Sequence, residues 1–244
     1  MPAKPQRLFV KSRLTPGASV ELDPPQAHYL INVLRCKTGD DVLLFNGIDG
    51  EWSGALSTGS KKRATVTLTE QTRPQIVGPD LHYLFAPLKR ARLDYMAQKA
   101  TEMGARLLQP VLTRHTVAER VNTARLAANA AEAAEQCGIL WVPEVREPDA
   151  LSLILDRWDP ARLLVFADEA APPASPLAAL SAERPQPLAL LVGPEGGFAH
   201  DERALLVKQP YVLTISLGPR VMRADTAAVA ALALVNATIG DWRS

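Results

Sequence analysis

Five short apolar runs, Leu81–Ala86, Leu107–Thr113, Leu163–Ala167, Leu188–Val192 and Val212–Leu217, alternate with segments of helical periodicity, and this rhythm constrains the chain more than any other feature. Runs so short and so apolar suit strands buried on both faces. The intervening segments Arg90–Met103, Thr123–Gln136, Ser175–Ala182, Asp201–Lys208 and Asp225–Ala237 read as helices, the first with an apolar stripe of Leu93, Met96, Ala97, Ala100 and Met103. Repeated strand–helix units predict an α/β domain built on a mostly parallel sheet with helices on both faces. Ligands of such sheets bind beyond the carboxyl ends of the strands, so those loops are the ones to read for chemistry.

The first part of the chain has a different texture. Arg63–Thr69 alternates Ala64, Val66 and Leu68 with threonines, the period of a strand with one buried face, and Asp41–Phe45 is a second strand ended by Asn46-Gly47 and Asp49-Gly50. Pro25–Arg35 alone has helical spacing, so residues 1–74 are expected to form a small β-barrel with one short helix. Gln71–Asp80, with Pro74, Gly78 and Pro79, reads as the domain edge, and residues 75–244 as the α/β domain. The first part carries 10 Lys+Arg against 7 Asp+Glu and the second 17 against 19, a mild basic bias compatible with a nucleic-acid footprint. The longest uncharged apolar stretch near the C-terminus, Ala227–Val235, is well short of the roughly 20 residues of a membrane span, and the N-terminus lacks the apolar core of a secretory signal. A cytoplasmic protein without membrane partners is expected. Cys36 and Cys137 form no CxxC pair, and His28, His82, His115 and His200 are scattered, so neither disulfides nor a metal are expected.

Two strand-end loops concentrate chemistry. Gly193-Pro194-Glu195-Gly196-Gly197-Phe198 follows the Leu188 strand, and Gly218-Pro219-Arg220-Val221-Met222-Arg223-Ala224-Asp225-Thr226 follows the Val212 strand. Glycines let main-chain N–H groups approach a ligand, while Glu195 and the two arginines supply charge. Neither G-x-G-x-x-G nor G-x-x-x-x-G-K-[ST] occurs, which disfavours a dinucleotide fold or a P-loop, and G-x-S-x-G is absent as well. Lys61-Lys62-Arg63 and Lys89-Arg90-Arg92 are short basic clusters able to touch phosphates.

GPEGGF (Gly193–Phe198) and LGPRVMRADTA (Leu217–Ala227) resemble the signature loops of the ribosomal RNA small subunit methyltransferase E family, members of the SPOUT class of knotted methyltransferases. QKATEMG (Gln98–Gly104), QPVLTRHT (Gln109–Thr116), EAAEQCG (Glu132–Gly138) and HYLINVLRCKTGDDVLLFNG (His28–Gly47) extend the resemblance over nearly the whole chain. It implies a PUA-like barrel followed by an α/β domain with a trefoil knot, S-adenosylmethionine as cofactor, and methylation of a uridine at N3 in 16S ribosomal RNA, with the assembled 30S subunit as partner. It also implies a homodimer. The loop after Ala167 and the two glycine loops would form the cofactor cradle, with contacts from Val192, Gly193, Gly197, Leu217, Gly218, Met222 and Thr226. Gly193→Val is then expected to abolish cofactor binding without unfolding the chain. Arg7, Arg35, Lys61, Lys62, Arg63, Lys89 and Arg90 would hold RNA phosphates. Arg223, or else Arg220, would stabilise charge on the uracil oxygens, and Glu195 would act as base or as an acceptor that shapes its loop. Two departures bear on the substrate: Ile139 stands where the family usually has arginine, and Asp225 where it has glutamate. Transfer to another RNA position, or RNA binding without catalysis, are the alternatives.

Overall fold

The computed structural model describes residues 5–60, 63–117, 120–172, 174–184 and 186–243, apart from the side chains of Ser60 and Arg90. The chain divides into two compact units, one comprising residues up to Val77 together with Ala134–Val142, the other Gly78–Ala133 and Pro143 onward.

In the first unit, β1 (Gln6–Phe9), β2 (Ser19–Glu21), β3 (Asp41–Phe45), β4 (Glu51–Ser60) and β5 (Arg63–Arg73) form one sheet in the order β1-β3-β4-β5-β2. All its pairings are antiparallel except β1 with β3. The alternation in β5 does what its period requires: Ala64, Val66 and Leu68 join Leu8, Val20, Val42, Leu44 and Leu56 in a single core. The β3–β4 loop is organised by Asn46, whose Oδ1 accepts from the Ile48 and Asp49 N–H groups. The expected helix over Pro25–Arg35 is divided. A capped turn, α1 (Pro24–His28), runs into a π-helical turn over Tyr29–Val33, and the chain leaves through Arg35 at φ 59°. The widened turn places Leu30 in the core while Val33 and Leu34 stay exposed.

The second unit is a parallel sheet flanked by helices. It contains β6 (Leu81–Phe85), α2 (Arg90–Glu102), β7 (Leu107–Leu112), α3 (Thr123–Cys137), β8 (Glu144–Val145), β9 (Asp149–Ala150), α4 (Leu151–Asp156), β10 (Leu163–Ala167), α5 (Pro176–Ser181), β11 (Leu188–Val192), α6 (His200–Val207), β12 (Val212–Ile215) and α7 (Ala224–Thr238). The last turn of α3 belongs to the first unit. The strand order is β12-β10-β11-β6-β7-β8, with β9 beside β7. All five expected strands and all five helices are present, while β8, β9 and α4 have sequences too short to announce themselves by period. Every β11 residue is buried, as an all-apolar central strand requires. No helix among the described residues is long and apolar enough to cross a membrane.

Candidate active site

The register of the parallel sheet fixes where the loops emerge. Phe85 pairs with Val192, Val192 with Ala167 and Ala167 with Ile215, so β6, β11, β10 and β12 end level with one another. The segments that follow β10, β11 and β12 therefore rise side by side and wall one cleft with the start of α7. From the β10 loop come Asp168, Glu169 and Ala170; from the β11 loop Gly193, Pro194, Glu195, Gly197 and Phe198; from the β12 loop Ser216 through Met222; from α7 Ala224 and Ala227.

Each loop has a local reason for its shape. Asp168 is buried, and its carboxylate accepts from the Ala170 N–H at 3.0 Å and from Arg203 Nε at 2.8 Å. Its own N–H donates to the Ile215 carbonyl, which ties the β10 loop to the end of β12. In the β11 loop the Gly197 N–H closes a turn on the Pro194 carbonyl at 2.9 Å, with Gly197 at φ 67°. Gly218 turns the β12 loop at φ 106°, and a Cβ there would meet nothing within 4 Å, so the backbone angle rather than crowding calls for glycine. Gly193 is the reverse case. A Cβ would lie 2.4 Å from Phe198 Cε2, and that ring packs edge-on against the buried Phe166 at 5.0 Å. A side chain at 193 must push the Phe198 ring aside, so Gly193→Val carries a local packing cost as well as its expected intrusion into the cleft.

Six expected cofactor contacts, Val192, Gly193, Gly197, Leu217, Gly218 and Met222, line the cleft, as does Glu195. Thr226 and Arg223 do not. Helix α7 begins at Ala224, one residue earlier than its period suggests, and Ala224 and Ala227 share the face turned to the cleft. Thr226 is thereby rotated outward, and Arg223, the residue ahead of the first turn, is exposed. Arg220 is exposed too, but in the cleft wall.

Glu195 does not accept from its own loop: its partner is Arg92 of α2, whose Nε also lies 3.9 Å from Asp225 Oδ2. Tyr83 is fully buried; burial first, and the charge of Asp225 second, push its phenol well above the usual range. His115 reaches the same loop, its Nδ1 lying 3.1 Å from the carbonyls of both Gly196 and Gly197. Asp168 and Arg203 escaped sequence reasoning, although an acidic residue directly after an apolar strand was a usable signal.

The expected RNA contacts separate. Arg63 is exposed on β5, Arg35 at the left-handed turn and Lys89 ahead of α2. Lys61, Lys62 and the Arg90 side chain lie outside the described residues. Arg7 is not available to a phosphate. Its side chain is 7% exposed, its Nε pairs with Glu51 at 2.6 Å, and its other nitrogens donate to the carbonyls of Ala134, Glu135 and Ile139 at the end of α3. The cation caps the negative end of that helix from inside the first unit, 4.4 Å above the Phe45 ring. Ile139 packs with Phe45, Leu140 and Trp141 in a small apolar cluster.

Residues 77–236 match an RNA methyltransferase domain family, and residues 22–69 an RNA methyltransferase PUA domain family. The ribosomal RNA small subunit methyltransferase E of Rickettsia conorii is 32% identical over 234 residues, 95% of each chain. The chain belongs to the ribosomal RNA small subunit methyltransferase E family. The enzyme of that name from Bacillus subtilis is 28% identical over 95% of this chain and 96% of its own. A methyltransferase from Legionella pneumophila, solved with the bound cofactor S-adenosylmethionine, superposes with a TM-score of 0.83 at 26% identity, covering 96% of this chain and 98% of its own. The Neisseria gonorrhoeae family member, bound to S-adenosylmethionine, has a TM-score of 0.85 at 24% identity over 98% of this chain and 100% of its own, and so shares the fold. The chain carries the family's PUA-like domain ahead of its parallel-sheet α/β methyltransferase domain.

Proposed function

We propose that this chain transfers a methyl group from S-adenosylmethionine to N3 of a uridine in 16S ribosomal RNA. The observation that carries the reading is the convergence of three strand-end loops, two of them glycine-bearing, on one cleft within a chain of this family. The cleft suits the cofactor. Gly197 and Gly218 hold backbone angles that leave no side chain in the way, Leu217, Met222 and Ala227 offer apolar surface, and Glu169 and Glu195 put carboxylates near a cationic ligand. The cofactor, when bound, supplies an electrophilic methyl group on a sulfonium.

The protein's part is positioning and charge. Uracil N3 is paired and inaccessible in a duplex, so the target base must be unpaired or turned out of its stack. The reacting atoms must then be held about 3–3.5 Å apart. N3 must lose its proton, and the negative charge that spreads to O2 and O4 would be met by Arg223, at the start of α7 just outside the cleft wall, or by Arg220, which lines it. Exposed Arg35, Arg63 and Lys89 would contact phosphates and set the register of the RNA without reading its sequence. The assembled 30S subunit is the proposed substrate form, and a homodimer the proposed working state, measurable by light scattering. Incubation of purified protein with labelled S-adenosylmethionine and unmodified small subunits, followed by nucleoside mass spectrometry, tests the whole reading. N3-methyluridine is the expected product; label on a ribose or on another base would refute it.

A further inference from the structure

In the sequence Arg92 is only the last member of a basic cluster. In the fold it joins two carboxylates from separate loops: its Nη1 pairs with Glu195 Oε1 in the β11 loop, and its Nε faces Asp225 Oδ2 at 3.9 Å on the first turn of α7. Glu195 lines the cleft, and Asp225 lies between Ala224 and Ala227, which line it too. Helix α2 packs along α7, and at the far end Asn236 Nδ2 of α7 donates to the Met103 carbonyl, just past α2, at 2.8 Å. So α2 acts as a strut beneath α7, and Arg92 ties the β11 loop to the same strut.

We infer that Arg92 is a positioning residue that sets the spacing of the two glycine loops, and so the affinity for the cofactor. This rests on the S-adenosylmethionine reading of the cleft. A guanidinium suits the task because two of its nitrogens can address two acceptors at once, whereas one ammonium serves a single carboxylate well. The Arg92 and Glu195 side chains are 35% and 49% exposed, so their pair adds little to global stability. The clamp therefore acts on loop geometry far more than on folding.

Calorimetric titration of S-adenosylmethionine into the full-length protein, Arg92→Met, Glu195→Gln and the double variant tests this. Each single substitution weakens binding about tenfold, and the double variant is no weaker than Arg92→Met, because that substitution already removes the pair that Glu195→Gln breaks. In turnover by Arg92→Met, KM for S-adenosylmethionine rises while kcat changes by less than about threefold. Arg92→Lys restores only part of the affinity. A folded Arg92→Met that binds within about twofold of the unsubstituted protein overturns the clamp, as do losses that multiply in the double variant. Should Arg92→Met fail to fold, Arg92→Gln takes its place, on the same threshold. No binding by the unsubstituted protein would overturn the cofactor reading and the clamp with it; normal binding there with unchanged variants overturns the clamp alone.

Discussion

Replacing Arg7 by methionine should unfold the first unit far more readily than the loss of one surface cation could. The substitution keeps most of the aliphatic stem and deletes the guanidinium. Glu51, 5% exposed, then keeps a hydroxyl donor in Thr72 at 2.9 Å and one cation, Arg73, at 3.7 Å, while the carbonyls of Ala134, Glu135 and Ile139 lose a donor. Removing one partner of a buried ion pair costs about 3–5 kcal/mol. Residual attraction from Arg73, and hydration of carbonyls at a helix end, place the cost here near the lower limit, at roughly 3 kcal/mol. That is a large share of the roughly 5–15 kcal/mol by which a typical protein is stable. Urea unfolding followed by tryptophan fluorescence is a suitable assay, since Trp52 and Trp141 are both buried in the first unit. Adding Glu51→Gln to Arg7→Met should return part of the loss, because it removes the stranded charge. A loss below about 1 kcal/mol, or strictly additive effects of the two substitutions, would refute the reasoning and return Arg7 to the candidates for RNA phosphates.

Ala170 is exposed on the β10 loop at the mouth of the cleft, so Ala170→Trp should weaken S-adenosylmethionine binding by about tenfold or more while stability changes by no more than about 0.5 kcal/mol; calorimetry and a melting curve read the two effects separately. Gly193→Ala should lower both, because Phe198 must move, and unchanged stability would contradict the packing. His82 is held at about 4, below its ordinary 6.5, chiefly by burial. Above pH 6.5 neither state carries the proton, but between pH 6.5 and about 4 the unfolded chain takes up a proton that the folded one refuses, so stability falls as pH drops through that window. For a side chain still 21% exposed the effect is roughly 1–2 kcal/mol after screening, and His82→Gln should flatten that part of the profile. Exposed Cys137 should react with a thiol reagent well before Cys36, whose thiol is partly buried and pushed up by burial and then by Asp40; equal rates would count against that placement.

What could be read without coordinates was whatever depends on neighbours in the chain. Strand and helix positions in the second unit followed from hydrophobic period, and much of the cleft wall followed from glycines placed after apolar strands, because a turn at a strand end is a local demand on backbone angles. Phase errors appeared where one residue matters. A helix that starts at Ala224 instead of Asp225 turns Ala227 toward the cleft and Thr226 away from it. A π-helical turn likewise exposes residues that an α-helical count would bury.

Sequence alone determined the parallel sheet and the two glycine-bearing loops that meet at the cleft, since each is written in period and motif; the division at residue 74 holds only in outline, because Ala134–Val142 joins the first unit. Only the tertiary structure decided the fate of the charges. Arg7 looks like any surface arginine until Glu51, 44 residues on, and the end of α3, 127 residues on, close around it, and Arg92 looks like part of a basic cluster until two strand-end loops bring carboxylates to it. A charge is defined by what faces it across the fold, and the sequence order carries no record of that distance.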